Sequence, residues 1–136
     1  MMSFDPKSSL IFSALLIGLL GLCHTVKGGP NTSINVLKCN GNSYAEGDPF
    51  GNSVTYVLFD LMNVTPSQQG FDYRATSPYS TAVAYGHATC NRALSNNDCA
   101  NCLVSAKATL ESNCGGRFGG QTELVDCTMR FENYYF

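Results

Sequence analysis

Residues 90–102 read CNRALSNNDCANC, a C-x8-C-x2-C pattern made by Cys90, Cys99 and Cys102. Its second half opens a helix. Ser95-x-x-Asp98 is a capping-box variant: the serine hydroxyl takes an orphan backbone N–H, and Asp stands where Glu is usual. Along the helix that follows, Cys99, Cys102, Leu103, Ala106 and Leu110 fall on one face. It is expected to stop at Cys114-Gly115-Gly116, where glycine can take the left-handed cap.

Outward from this helix the pattern changes to strands. After a loop at Gly119-Gly120, Val125, Cys127, Met129 and Phe131 alternate with Asp126, Thr128, Arg130 and Glu132. The first set is expected to face the core and the second the solvent. Upstream, Thr81–Thr89 and Phe71–Thr76 read as strands with Ser77-Pro78 turning between them, and Pro66–Gly70 is a breaker. Before it, Asp48-Pro49 starts a helix, with Asp as cap and Pro where a missing N–H costs nothing. Val54, Val57, Leu58 and Leu61 give that helix one apolar stripe. Asn40–Gly47 is a loop, and a first strand from Ser33 ends at Cys39. These elements make an α+β domain, an antiparallel sheet with two helices on one face.

The first residues read as a leader. Lys7 precedes an apolar run from Leu10 to Leu22, followed by small and polar residues to Gly29. A basic start, a short apolar centre and a small-residue exit describe a signal peptide over 1–28, cleaved within 23–29. The run is shorter than the ~20 apolar residues of a membrane span. No later stretch is apolar enough to span, so the domain over 29–136 is expected to be exported and soluble. Of seven cysteines, Cys23 leaves with the leader. Cys39, Cys90, Cys99, Cys102, Cys114 and Cys127 remain. Six cysteines in a short secreted chain imply a disulfide framework, and sequence alone allows 15 pairings.

Several chemistries are poorly served by these residues. Net charge is −2 and only 13% of residues are charged, with no basic run, so nucleic acid and anionic membranes are poor partners. Cys99-x-x-Cys102 has the spacing of a redox dithiol, but the usual small apolar approach strand is absent and four other cysteines can pair with these two. Zinc would want a second close pair of ligands, which His24 and His87 do not complete. His87 lacks a nucleophile of clear role. Glu123, Asp126 and Glu132 are candidate glycosidase carboxylates, yet Asp126 and Glu132 share a strand face about 20 Å apart at ~3.3 Å per residue, beyond the usable range. No metal, cofactor or catalysis is therefore expected. Asn31 and Asn63 begin N-glycosylation sequons, the second followed at once by Pro66.

The cysteine pattern has a likeness. AYGHATC (84–90), SNNDCANCL (95–103), QTELVDCTMRFENYYF (121–136) and the early Cys39-Asn40 resemble the plant cysteine-rich stress-antifungal domain family, on its secreted ginkbilobin-like branch. The resemblance runs from Asn31 to Phe136. It implies two helices on a five-stranded antiparallel sheet, and the pairing Cys39–Cys114, Cys90–Cys99 and Cys102–Cys127. It also implies an antifungal defence protein of the plant apoplast, acting as a mannose-binding lectin on fungal cell-wall glycans. In that branch mannose is held by an Asn after the first cysteine, an Arg six residues before the last and a Glu five after it. These positions are Asn40, Gln121 and Glu132. Asn40 and Glu132 match; Gln121 replaces a charged fork with a neutral amide, which still donates to a hydroxyl. Arg130 and Arg117 are nearby cations that could compensate. The alternative is an extracellular protein-interaction module that has lost sugar binding.

Overall fold

Helix caps set the frame as the sequence implies. In the computed structural model, which describes residues 28–136, the Phe50 N–H donates to Asp48 Oδ1 at 2.9 Å. The Asp98 N–H donates to Ser95 Oγ at 3.1 Å. The leader's first 27 residues, Cys23 among them, lie outside the described residues. Helix α1 runs Phe50–Val64 and buries Val54, Val57, Leu58 and Leu61 together with Phe50 and Ser53. Its β-branched residues do not break it, because that stripe is what packing fixes. Helix α2 runs Asn96–Cys114 and buries Cys99, Cys102, Leu103, Ala106, Leu110 and Cys114. It ends where Gly115 turns extended (φ −58°, ψ 132°), and Gly116, at φ +77°, completes a type II turn closed by the Arg117 N–H on Cys114 O at 3.1 Å.

The five strands are β1 (Ile34–Cys39), β2 (Asp72–Thr76), β3 (Tyr85–Cys90), β4 (Gly119–Leu124) and β5 (Cys127–Glu132). They form one antiparallel sheet in the order β1-β4-β5-β3-β2. Both helices lie against one face, where Ala88, Thr122, Met129 and Phe131 meet Leu58, Leu61, Leu103 and Leu110 in the core. The other face is open. Three bridges staple the layers: Cys39–Cys114 joins β1 to the end of α2, Cys90–Cys99 joins β3 to its start, and Cys102–Cys127 joins its first turns to β5.

Four expectations from the sequence are corrected. Gly119–Gly120 is not a loop but the start of β4. A side chain at Gly120 would lie 2.9 Å from Cys114 Cβ and 2.9 Å from Phe131 Cε1, so only glycine lets the strand approach the bridge. Val125 is 46% exposed, since it sits with Asp126 in the turn between β4 and β5, and Leu124 takes the core position. The strand expected over Thr81–Thr89 begins only at Tyr85. Ser77 closes the preceding loop, its Oγ accepting from the Ala84 N–H at 2.9 Å and its N–H donating to Ala84 O at 3.0 Å. Finally, Glu132 lies on the open face as expected, but it is buried rather than solvated, its side chain 11% exposed.

Candidate functional site

Antiparallel pairing puts directly opposed residues on the same face, so register decides which side chains meet. Across the open face one line runs Lys38, Gln121, Arg130, His87, Arg74 from β1 to β2. On one side of it Glu123, Thr128, Thr89 and Asp72 form a second line from β4 to β2. On the other side Gly119 opposes Glu132 and Glu132 opposes Tyr85. Asn40 extends this third line, its N–H donating to Gly119 O at 2.9 Å. Asn40, Gln121 and Glu132, the first and last 92 positions apart in sequence, thus surround Gly119. Strand spacing of ~4.8 Å and a rise of ~3.3 Å per residue put their backbones roughly 7–10 Å apart.

Glycine at 119 shapes the site. A Cβ there would fall on the carboxylate of Glu132. The missing side chain is therefore what lets Glu132 lie back across β4 toward Asn40. Arg130 fixes it there: Nε donates to Glu132 Oε1 at 3.2 Å and Nη2 donates to Tyr134 Oη at 3.2 Å. The Phe136 ring stacks on the Arg130 guanidinium at 4.0 Å, and Arg74 Nη1 donates to the Phe136 main-chain oxygen at 2.6 Å. The final residues are thereby folded down onto the open face.

The remaining polar groups are also partnered. Gln121 Nε2 donates to Glu123 Oε1 at 3.3 Å. The Asn40 side-chain oxygen accepts the Asn42 N–H at 2.9 Å, an Asx turn that holds the loop after β1. Arg117, one of the two compensating cations considered from the sequence, donates to the carbonyls of Asn40 and Gly41 at 3.1 and 3.2 Å. It organises the loop's backbone rather than offering a free fork. Arg130, the other, stands directly across from Gln121. Beyond it His87 Nε2 and Asp72 Oδ1 lie 2.7 Å apart, and the hydroxyls of Thr89 and Thr128 share a hydrogen bond of 2.6 Å. His87, Thr89, Thr128, Gln121, Arg130 and Phe136 are among the residues that line a depression of about 460 Å³. The sequence held a signal for Thr128, whose alternation with Met129 shares the face of Arg130. It held none for Thr89 or Phe136 as site residues.

Other candidates have structural tasks. Asp126 accepts from the Asn31 N–H at 2.7 Å and from Asn91 Nδ2 at 3.2 Å, tying the domain's first residues to the β4–β5 turn. Cys99 and Cys102 are each bonded to a different partner, so they form neither a dithiol nor a metal pair. Among the described residues no cluster of His, Cys, Asp and Glu is arranged to hold a metal ion, and no helix is long and apolar enough to cross a membrane. Asn63 Nδ2, in one sequon, donates to Phe59 O at 3.0 Å.

Comparison with known proteins agrees with the cysteine pattern. The family model described as salt stress response/antifungal matches residues 38–134. The antifungal protein ginkbilobin-like protein 2 of Picea glauca is 33% identical over 125 residues, 90% of this chain and 93% of that protein. Antifungal protein ginkbilobin-2 of Ginkgo biloba is 32% identical over 108 residues, 78% of this chain and 80% of that one. Among solved structures, the tandem DUF26 ectodomain of the Arabidopsis thaliana cysteine-rich receptor-like protein PDLP5 superposes with a TM-score of 0.69 at 20% identity, over 79% of this chain. The corresponding ectodomain of PDLP8 gives 0.64 at 27% identity. The chain spans about half of each, 52% and 46%.

Proposed function

The chain belongs to the salt stress response/antifungal family, and from that premise we propose that it is an exported plant defence protein that acts on fungi by binding mannose-containing glycans, without catalysis. One observation carries the sugar-binding part: Asn40, Gln121 and Glu132 gather around a glycine that clears the space between two of them. Sugar hydroxyls are bound by fixed amides and carboxylates, and each net hydrogen bond is worth only ~0.5–1.5 kcal/mol. Preorganisation therefore decides whether binding is measurable. Glu132 is held by Arg130, and Gln121 is held by Glu123. Both still present unused hydrogen-bonding capacity, a second carboxylate oxygen in one and the amide oxygen in the other. Arg130 brings a guanidinium to within one strand of the position where the relatives' arginine would stand.

Export is supported by the leader read from the sequence and by three bridges that persist in an oxidising compartment. The reading is tested by titrating the oxidised protein with mannose while following amide resonances. Saturable shifts at Asn40, Gln121 and Glu132 are expected, with a dissociation constant near ~1 mM for a single sugar. An absence of any saturable response through tens of millimolar sinks the lectin reading. Gln121→Arg adds a charge-assisted fork and is expected to tighten mannose roughly fivefold to tenfold.

A second reading rests on the same substitution. With Gln121 lacking a charge and the Asn40 oxygen spent in its turn, the domain would serve as an extracellular protein-interaction module that no longer recognises sugar. Capture of an apoplastic partner that mannose does not displace would favour it.

A further inference from the structure

The depression on the open face meets the trio of residues around Gly119 at Gln121 alone and runs from there toward β3 and β2. Gln121 belongs to both parts. From Gln121 the floor passes to Thr128 and Thr89, with His87, Arg74 and Phe136 as the far wall. At about 460 Å³ it lies within the ~300–1,000 Å³ range of small-ligand sites and holds more than one pyranose ring. We infer that this continuation is a second sugar subsite, so that the face takes an oligosaccharide with Gln121 shared between adjacent rings. The inference rests on the glycan reading above and names the ligand class for it: a neutral chain of at least two linked hexoses.

Neutrality follows from how the charges are spent. Arg130 is paired with Glu132, His87 with Asp72, and Arg74 with the Phe136 main-chain oxygen. An anionic ligand would compete with Glu132 and Asp72 for two of these side chains and would meet Glu123 on the same face. A polyol need not. The hydroxyls of Thr89 and Thr128, 2.6 Å apart, satisfy one bond between them and leave one O–H and further lone pairs for a ligand. Both threonines sit on paired strands of the rigid sheet, opposite each other in register. The Phe136 ring adds an apolar wall, held in place by its stack on Arg130. Alternating hydroxyls, amide and aromatic carbon suit a sugar ring, which presents polar edges and apolar C–H faces.

The experiment titrates the oxidised full chain with mannose, α-linked mannobiose and α-linked mannotriose. A second subsite predicts mannobiose about tenfold tighter than mannose, equivalent to ~1.4 kcal/mol. Mannobiose, unlike mannose, would also shift the Thr89, Thr128 and His87 resonances. Thr128→Val keeps the β-branched shape and removes the hydroxyl; the ratio of mannobiose to mannose affinity is expected to fall toward one. Equal affinities, with shifts confined to Asn40, Gln121 and Glu132, overturn the second subsite and leave the glycan reading standing. No saturable response to any of the three sugars overturns both.

Discussion

Replacing Gly119 and Gly120 one at a time by alanine separates the site from the scaffold, because the two neighbours on β4 face opposite sides of the sheet. At Gly120 the new methyl would lie 2.9 Å from Cys114 Cβ, 2.9 Å from Phe131 Cε1 and 3.0 Å from Cys114 Sγ. Both neighbours are buried, and one is locked in the Cys39–Cys114 bridge, so neither can yield. Overpacking of this kind costs ~1–3 kcal/mol, which at about 4 °C per kcal/mol for a domain of this size lowers Tm by roughly 4–12 °C. At Gly119 the methyl meets only the end of one flexible side chain, with Glu132 Cδ 2.7 Å away. Turning that carboxylate aside forfeits its contact with Arg130, which is partly exposed and worth ~0.2–1 kcal/mol. The loss is offset by ~0.4–1 kcal/mol from a stiffer unfolded chain. Gly119→Ala should therefore melt within a few degrees of the native protein, yet lose mannose affinity tenfold or more as Glu132 leaves its position. Calorimetric melting and sugar titration of the same samples give both answers. Equal destabilisation by the two alanines would refute the assignment of the faces. An unaltered sugar response in a folded Gly119→Ala variant would remove Glu132 from the site.

The bridges should rank by loop length. Chain-entropy estimates give about 4.5 kcal/mol for Cys39–Cys114, 3.5 for Cys102–Cys127 and 2.6 for Cys90–Cys99, from separations of 75, 25 and 9 residues. Melting of the three paired Cys→Ser variants checks the order, and a Cys90–Cys99 variant that melts lowest contradicts it. Tyr73 donates to Asp60 Oδ2 at 2.7 Å, and this hydrogen bond, aided by burial and by the carboxylate's charge, pushes its pKa from 10.0 up to about 12. A raised phenol contributes stability that is complete below pH 10 and is lost as pH climbs through 12. Denaturation at stepped alkaline pH should show this loss in the native protein and not in Tyr73→Phe, and parallel pH profiles would dismiss the contact.

What the sequence makes legible depends on whether the signal is periodic. Helix α1 and helix α2 announce themselves through caps and apolar stripes, because both are local. Strand β5 does so through strict alternation. Strand β4 does not: its residues GGQTEL contain two glycines and little apolar surface, and they pair because Gly120 must pass the Cys114 bridge and Gly119 must admit Glu132. Those requirements come from residues far off in the chain, so no window around β4 contains them. The same holds for Val125, which looks like a continuation of β5's apolar set until the turn claims it.

The candidate site was legible only as a list of positions. What the sequence could not supply is the register that makes Lys38, Gln121, Arg130, His87 and Arg74 one line. A slip of one residue on any strand would send that strand's members to the core. Register here is fixed by burial on the opposite face, where Met129 and Phe131 must meet the helices, and by the bridges at Cys39, Cys90 and Cys127. The open face is thus specified by residues that never touch it. Substitutions on the open face leave the core and bridges intact, and so the character of that face can change without endangering the fold.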